Sequence, residues 1–316
     1  MALLSDGTVM SWGEDKFGEL GDGVAGEPSD VPVAVSGLGE VAGISAGGGH
    51  ALAFSEPLPS VTAVNPNAGA PAGGATVTIT GADLEGATAV HFGTASAQSF
   101  EVTSPSTISA IAPAGSLGTV NVTVTTAAGT SPPVSADHFS YVPAPSVSAL
   151  SAKNGPGSGG TSVTITGSEF TSATAVDFGS TPAQTFVINS STSITAVSPP
   201  GGGTVNVTVI GPGGTSATSK HTQFGYIPAV ADISPANGPL AGASEVTITG
   251  SGFALGAAQT TFKLGKKAAT SVQCSSSTSC TAITPAAKKA GVVTVIAEVG
   301  KLKSSANPPG DQFSYE

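Results

Sequence analysis

The sequence predicts an all-β protein composed of several small folded domains. Of the 316 residues, 39% are hydrophobic but only 5% are aromatic, and the chain contains 43 glycines and 23 prolines. This composition is typical of short strands joined by tight turns. An apolar–polar alternation with a period of two and three copies of one long unit predict the same fold class. No apolar run approaches the roughly 18 to 20 residues of a membrane-spanning helix, so we expect no membrane span.

The internal repeat defines the domain organisation. The segment ATVTITGADL at residues 75–84 returns as TSVTITGSEF at residues 161–170 and as SEVTITGSGF at residues 244–253. Each copy ends on a similar aromatic phrase, HFSY, QFGY or QFSY. A repeat of this length can hold a core of its own. We therefore expect four parts: residues 1–55, which lack the repeat, followed by sandwiches at residues 58–142, 143–228 and 229–316.

Each copy has the pattern of a two-sheet sandwich. Val77 and Ile79 alternate with Thr78 and Thr80 before Gly81, which indicates a strand with one buried face that ends at a turn. The same alternation recurs in VNVTV of the first two copies. We expect about seven short strands per copy, with turn signals at intervals of about 8 to 12 residues. This count predicts three tandem immunoglobulin-like β-sandwiches.

The order of motifs within a copy resembles the IPT/TIG domain. The first copy contains PSVTAVNPNAG and GGATVTITGADL, then AVHFG and HFSY, and the other two copies contain counterparts in the same order. The resemblance implies an immunoglobulin-like sandwich of the kind used in cell-surface receptors, bacterial surface proteins and accessory modules of secreted polysaccharide-acting enzymes. Some transcription factors of this family bind DNA through basic loops, which this sequence lacks.

Residues 1–55 resemble a different family. The stretch SWGEDKFGELGDG is similar to the regulator-of-chromosome-condensation repeat, which implies about one blade of a β-propeller. Asp6 and Gly7 predict a two-residue hairpin turn between two strands. A single blade cannot close a ring and leaves its edges uncovered. We therefore expect the chain to be the C-terminal part of a longer protein whose propeller binds other proteins.

The charge distribution disfavours nucleic acid as a partner. The ten cationic side chains are all lysines, and they stand against 20 Asp and Glu residues. Phosphate binding needs clustered cations, and base recognition relies mostly on arginine. Seven of the lysines lie between residues 263 and 303, and we interpret them as an ordinary solvated surface. We expect a monomer with no nucleic-acid partner and with a protein or glycan ligand that the sequence does not identify.

No motif in the sequence predicts catalysis. GPGSGG at residues 155–160 has the spacing of a dinucleotide-binding loop, but a strand follows it where that motif requires a helix. The four histidines lack metal-ligand spacing. Glu169 and Asp177 can approach each other, but a solvated pair is the simpler interpretation. We therefore predict no catalytic residue, no cofactor and no metal site.

The two cysteines, Cys274 and Cys280, are interpreted as a disulfide. A metal site would need two further ligands, and a redox motif would need C-x-x-C spacing. A step of 86 residues places the two cysteines on Ile188 and Ile194, and a second such step places them on Val102 and Ile108. Facing positions of a hairpin can be bridged, and so small a loop would stabilise the fold by about 2 kcal/mol. A disulfide indicates an oxidising, extracellular location.

Three functions follow from these observations. We favour a non-catalytic secreted or cell-surface protein in which the sandwiches form a stalk or ligand-presenting array and the propeller binds proteins. The alternative is an accessory region of a secreted polysaccharide-active enzyme. An intracellular chromatin or transcription factor is disfavoured by the net charge of −10 and by the cysteine pair.

Overall fold

A computed structural model describes residues 1–48, 50–256 and 259–316. The described residues form β-strands and a single short 3-10 turn, which confirms the all-β fold class. Among them is no helix with the length and apolar character that a bilayer crossing requires. The chain divides into two compact units, Met1–Val142 and Pro143–Glu316.

The first unit begins with two small antiparallel sheets. Its strands are β1 (Ala2–Leu3), β2 (Val9–Gly13), β3 (Ser29–Ala34), β4 (Val41–Ala46) and β5 (Ala51–Ser55). The first three strands form one sheet in the order β1-β2-β3, and β4 and β5 form a separate hairpin. Leu52 and Phe54 on β5 are 62% and 64% exposed. This segment therefore buries little apolar surface of its own.

The predicted hairpin forms, but its turn differs from the expected one. The turn runs from Leu4 to Gly7, where the Gly7 N–H donates to the Leu4 carbonyl at 3.1 Å. Only Gly7 takes a positive φ, of 81°, and Asp6 does not. The two-residue turn predicted at Asp6 and Gly7 is therefore wrong. The Asp6 carboxylate instead accepts the Thr8 N–H at 3.0 Å, which stabilises a longer turn with glycine at its last position.

Sandwich 1 completes the first unit. Its elements are β6 (Ser60–Asn65), β7 (Ala68–Gly69), β8 (Thr76–Ala82), β9 (Ala89–Phe92), β10 (Ala95–Ser96), β11 (Ser99–Ser104), β12 (Thr107–Ile111), β13 (Gly118–Thr126), β14 (Gly129–Thr130), the 3-10 turn Ser135–Asp137 and β15 (His138–Tyr141). One sheet has the order β11-β12-β8-β6, and the other has the order β10-β9-β13-β15-β7 with β14 beside β13.

The second unit contains sandwiches 2 and 3. The strands of sandwich 2 are β16 (Ser146–Leu150), β17 (Asn154–Pro156), β18 (Ser162–Ser168), β19 (Ala175–Phe178), β20 (Thr181–Pro182), β21 (Thr185–Ser190), β22 (Ser193–Val197), β23 (Thr204–Gly211), β24 (Gly214–Thr215) and β25 (Gln223–Ile227). The described strands of sandwich 3 are β26 (Ala229–Ser234), β27 (Asn237–Gly238), β28 (Glu245–Ser251), β29 (Thr260–Leu264), β30 (Lys267–Ala268), β31 (Thr270–Ser276), β32 (Ser279–Ile283), β33 (Gly291–Val299), β34 (Leu302–Lys303) and β35 (Gln312–Tyr315).

The three sandwiches share one topology. Their four-stranded sheets have the orders β11-β12-β8-β6, β21-β22-β18-β16 and β31-β32-β28-β26. In each opposite sheet the last long strand pairs in parallel with a short strand near the start of the sandwich, as β15 does with β7. Among the described residues, each sandwich has seven strands of four or more residues and three shorter ones. The predicted immunoglobulin-like sandwiches are therefore confirmed.

Each sandwich encloses its own core, which an aromatic pair on the last strand closes. In sandwich 1, Val77 and Ile79 are fully buried, and Phe139 packs edge-to-face on Tyr141 with ring centroids 5.1 Å apart. The Tyr141 hydroxyl donates to the Pro113 carbonyl at 2.9 Å. Sandwich 3 repeats this bond from Tyr315 to the Pro285 carbonyl at 2.7 Å.

The corresponding tyrosine of sandwich 2 lacks this bond. The Tyr226 hydroxyl is buried and has no hydrogen-bond partner among the described residues. Burial raises the pKa of Tyr226 to about 12. A buried hydroxyl without a partner is destabilising. The Pro199 carbonyl, which is equivalent to those of Pro113 and Pro285, does not accept a hydrogen bond from Tyr226.

Replacing each tyrosine by phenylalanine distinguishes the hydrogen-bonded hydroxyls from the unpartnered one. We expect Tyr141→Phe and Tyr315→Phe each to lower the free energy of unfolding of its own sandwich by about 1 kcal/mol, since a hydrogen bond is lost. Tyr226→Phe should have no destabilising effect, because it removes an unpartnered group. Hydrogen exchange followed by mass spectrometry measures the stability of each sandwich within the full chain. Equal costs at all three positions would contradict the difference seen in the structure.

Candidate functional site

Sandwiches 2 and 3 meet through direct contact between their backbones. The contact is made by Gly157 and Gly202 of sandwich 2 and Gly252 of sandwich 3, which we call the glycine junction. Gly202 and Gly252 form a parallel β-bridge outside the regular strands. The Gly203 N–H also donates to the Gly252 carbonyl at 3.4 Å. The junction thus extends backbone pairing from one sandwich to the next.

The backbones approach so closely that none of these three positions has room for a side chain. A Cβ atom at position 157 would lie 2.1 Å from the Gly252 nitrogen, and one at position 202 would lie 1.9 Å from the Phe253 carbonyl oxygen. A Cβ atom at position 252 would lie 2.6 Å from the Ile227 carbonyl oxygen. Contacts below 3 Å require the backbone to shift, so the junction depends on glycine.

The equivalent positions in the other copies carry side chains. Position 252 corresponds to Asp83 in sandwich 1 and Glu169 in sandwich 2, and all three residues have a positive φ, of 55°, 61° and 78° in chain order. Asp83 and Glu169 therefore tolerate the left-handed conformation at some energetic cost, whereas Gly252 also accommodates the neighbouring domain. Glu169, which the sequence allows to approach Asp177 as a solvated pair, lies in this turn.

The segment that connects sandwiches 2 and 3 also contacts the glycine junction. The Gly157 N–H donates to the Ile227 carbonyl at 3.0 Å, which binds the loop at residues 155–160 to the connecting segment. A Cβ atom at Gly225 would lie 2.7 Å from Leu302 of sandwich 3, so Leu302 packs over this glycine. The sequence motif GPGSGG therefore serves as a packing loop between domains.

The disulfide lies in the hairpin that supports the sandwich 3 side of the junction. Cys274 on β31 faces Cys280 on β32, and their sulfur atoms are bonded across a Cα–Cα distance of 3.9 Å. The same register pairs Val102 with Ile108 and Ile188 with Ile194, as the 86-residue step predicts. In the turn of the cysteine hairpin, the Ser277 carbonyl accepts the Phe253 N–H at 3.0 Å. The disulfide thus closes the hairpin whose turn holds the residue next to Gly252.

An open groove lies beside the glycine junction. It has a volume of about 430 Å³ and is lined by residues of both sandwiches. Its polar lining includes Ser180, Thr181 and Thr204 from sandwich 2, and Gln259 and Ser277 from sandwich 3. We call this feature the junction groove.

The other residues considered from the sequence do not converge on one site. His91 and His138 lie on strands β9 and β15, Asp177 lies on β19, and Glu169 lies in a turn. In the described ranges, no group of three or more His, Cys, Asp and Glu side chains is arranged to hold a metal ion.

The lysine-rich region of sandwich 3 is partly neutralised. The Lys263 and Lys303 ammonium groups lie 2.9 and 3.0 Å from the Glu298 carboxylate. Hydrogen bonds from Lys263 and then Lys303 hold the pKa of Glu298 below its usual value. The Lys267 ammonium donates to the Ala286 carbonyl at 2.7 Å. These contacts favour a solvated surface over a basic binding face.

Comparison with known families agrees with this architecture. The model of the IPT/TIG domain matches residues 59–141, 145–226 and 228–315, which is more than half of the chain. The chain belongs to the IPT/TIG family. The model of the regulator of chromosome condensation (RCC1) repeat matches residues 6–54. No curated protein sequence matches the chain.

Several solved structures resemble the tandem IPT/TIG chain at low identity. The extracellular region of plexin A4 is 20% identical, with 81% of this chain and 24% of the plexin chain covered and a TM-score of 0.42. SGBP-B from a xyloglucan utilization locus of Bacteroides uniformis is 19% identical, with 61% and 62% covered and a TM-score of 0.25. The Escherichia coli adhesin FdeC is 15% identical, with 83% and 99% covered and a TM-score of 0.24. The chain thus spans about a quarter of the plexin chain that it matches.

The contribution of the disulfide to stability can be measured by replacing it with serines or with the aliphatic pair of the first IPT/TIG domain. We expect Cys274→Ser with Cys280→Ser to lower the free energy of unfolding of the third domain by about 2 kcal/mol or more, since loop-closure entropy is lost and a hydroxyl is buried. Cys274→Val with Cys280→Ile should recover part of this loss by restoring aliphatic packing. Hydrogen exchange in the third domain measures both effects. Unchanged protection in the serine variant would show that the disulfide adds no stability.

The glycine junction can be tested with a valine at position 157. Gly157→Val should open the junction while each IPT/TIG domain keeps its core, because the added side chain collides with Gly252 backbone atoms. We expect faster hydrogen exchange at the Gly203 amide, which donates across the junction. Ser158→Val is the matched control, since it adds the same side chain to an exposed position of the same loop. If both variants exchange like the parent protein, position 157 does not control the junction.

Proposed function

We propose that this chain is a non-catalytic part of a secreted or cell-surface protein, in which the second and third IPT/TIG domains form a rigid spacer. The observation that carries the proposal is the glycine junction, because backbone hydrogen bonds without intervening side chains leave little freedom between two domains. A spacer needs such stiffness in order to present a binding part at a defined position.

The shared residues of the repeat support a structural role. The positions that recur in all three copies are core residues such as Val77, the strand glycine Gly81 that lies against the neighbouring strand, and the closing aromatic pair. They account for folding and offer no set of side chains suited to proton transfer or nucleophilic attack. The RCC1-like segment, with its exposed Leu52 and Phe54, is the part to which we assign protein binding.

The disulfide supports an extracellular location. Disulfides persist in oxidising compartments and are rare in the cytosol. The Cys274–Cys280 bond replaces an aliphatic pair that serves the same position in the other two domains, so a reduced pair has no evident advantage there.

Two measurements test the proposal. Brief protease treatment of intact producing cells, followed by mass spectrometry, should release peptides of this chain, or the protein should be found in the medium. Residual dipolar couplings of the full chain should fit one orientation of the second and third domains. Recovery from the cytoplasm alone would refute the location, and couplings that require independent domain tumbling would refute the spacer.

A further inference from the structure

The junction groove has the properties of a preformed ligand site. Ligand sites occur preferentially where domains meet, and the volume of about 430 Å³ lies within their usual range. The glycine junction forms the adjoining boundary, since both Gly202 and Gly203 line the groove and bond to sandwich 3. A ligand would therefore meet walls that are already ordered, which lowers the entropic cost of binding.

The hydrogen-bonding groups of the groove are available to a ligand. The side chains of Ser180, Thr181, Thr204 and Gln259 are exposed, and they make no hydrogen bond to the described part of the chain. Thr204 shows why. Its counterpart Thr119 in sandwich 1 bonds to the Ser140 hydroxyl at 2.8 Å, whereas Thr204 faces Gly225. The replacement of serine by glycine leaves the Thr204 hydroxyl directed toward no cross-strand partner.

The lining selects a neutral ligand. Among the described residues that line the groove, none carries a charge. An anionic or cationic ligand would be desolvated there without an opposite charge to compensate it. Leu255, which is 58% exposed, supplies an apolar contact beside the hydroxyl and amide groups. This combination suits a molecule with many hydroxyl groups and a small apolar face.

The glycine segment of the groove has its backbone already engaged, which disfavours an extended peptide along that segment. The Gly201 N–H donates to the Gly157 carbonyl at 3.0 Å, and the Gly203 carbonyl accepts the Tyr226 N–H at 2.8 Å. Peptides that bind by strand addition need unpaired backbone groups along a sheet edge. Recognition along these glycines therefore relies on the neighbouring side-chain hydroxyl and amide groups.

We propose that the junction groove binds a neutral saccharide, with Thr204 and Gln259 as its hydrogen-bonding residues. A sugar ring presents hydroxyl donors and acceptors on its rim and C–H groups on its face, which match the polar side chains and Leu255. The aromatic rings of Phe178, Tyr226 and Phe253 are buried and offer no stacking platform. We therefore expect weak affinity, with a dissociation constant of about 1 mM. The ordered walls of this site rest on the same glycine junction as the proposed spacer, but the spacer itself does not require saccharide binding.

The test uses the full chain, isotopically labelled, and an array of neutral oligosaccharides derived from glucans, xylans, mannans, galactans and chitin. At about 10 mM saccharide, at least one class should shift the amide resonances of Gly203, Thr204 and Ser277. Thr204→Val combined with Gln259→Ala should weaken that binding roughly tenfold or more, because two hydrogen bonds are lost. Thr119→Val combined with Gln98→Ala changes the same residue types in sandwich 1 and should leave the affinity unchanged.

Three outcomes would overturn the proposal. The first is the absence of shifts with every saccharide of the array. The second is binding that the Thr204 and Gln259 changes leave intact, which would place the site elsewhere. The third is tighter binding of a neutral peptide, such as an acetylated and amidated Gly-Ser repeat, than of any saccharide.

Discussion

Each sandwich depends on the burial of the inward face of one sheet against the inward face of the other. The alternation of Val77 and Ile79 with exposed threonines provides one such face, and the Phe and Tyr of the last strand close the core between the sheets. Because every copy buries its own apolar surface, no domain needs its neighbour in order to fold. Surface loops are therefore free to differ between copies, and the contacts that join sandwich 2 to sandwich 3 lie in such loops.

The junction between sandwiches 2 and 3 shows how such a difference arises. The loop between Pro199 and Val205 is one residue shorter than the equivalent loop between Pro113 and Val120, and its glycines bond to sandwich 3. The same loop leaves the Tyr226 hydroxyl without the proline carbonyl that its counterparts use. Sandwich 2 thus loses one internal hydrogen bond where it gains backbone bonds to its neighbour.

The cysteine pair illustrates a second kind of divergence. Facing positions of one hairpin hold aliphatic side chains in two copies and a disulfide in the third, with the register unchanged. The covalent bond lies in the hairpin whose turn binds the Phe253 N–H. The hairpin also pairs with β28 along its length and accepts the Gly250 N–H at the Thr278 carbonyl, so it supports the strand that leads into Gly252.

The sequence by itself determined the fold class, the three IPT/TIG copies and the facing positions of Cys274 and Cys280. These features follow from local periodicity and from a repeat that carries its own register, so no long-range information is needed. The Asp6–Gly7 turn was mispredicted because a side-chain hydrogen bond selects a longer turn. Only the tertiary structure identified Gly157, Gly202 and Gly252 as one contact and Thr204 and Gln259 as parts of one groove. Proximity between residues of separate domains depends on how folded surfaces meet, and a glycine in a loop does not reveal which backbone passes beside it.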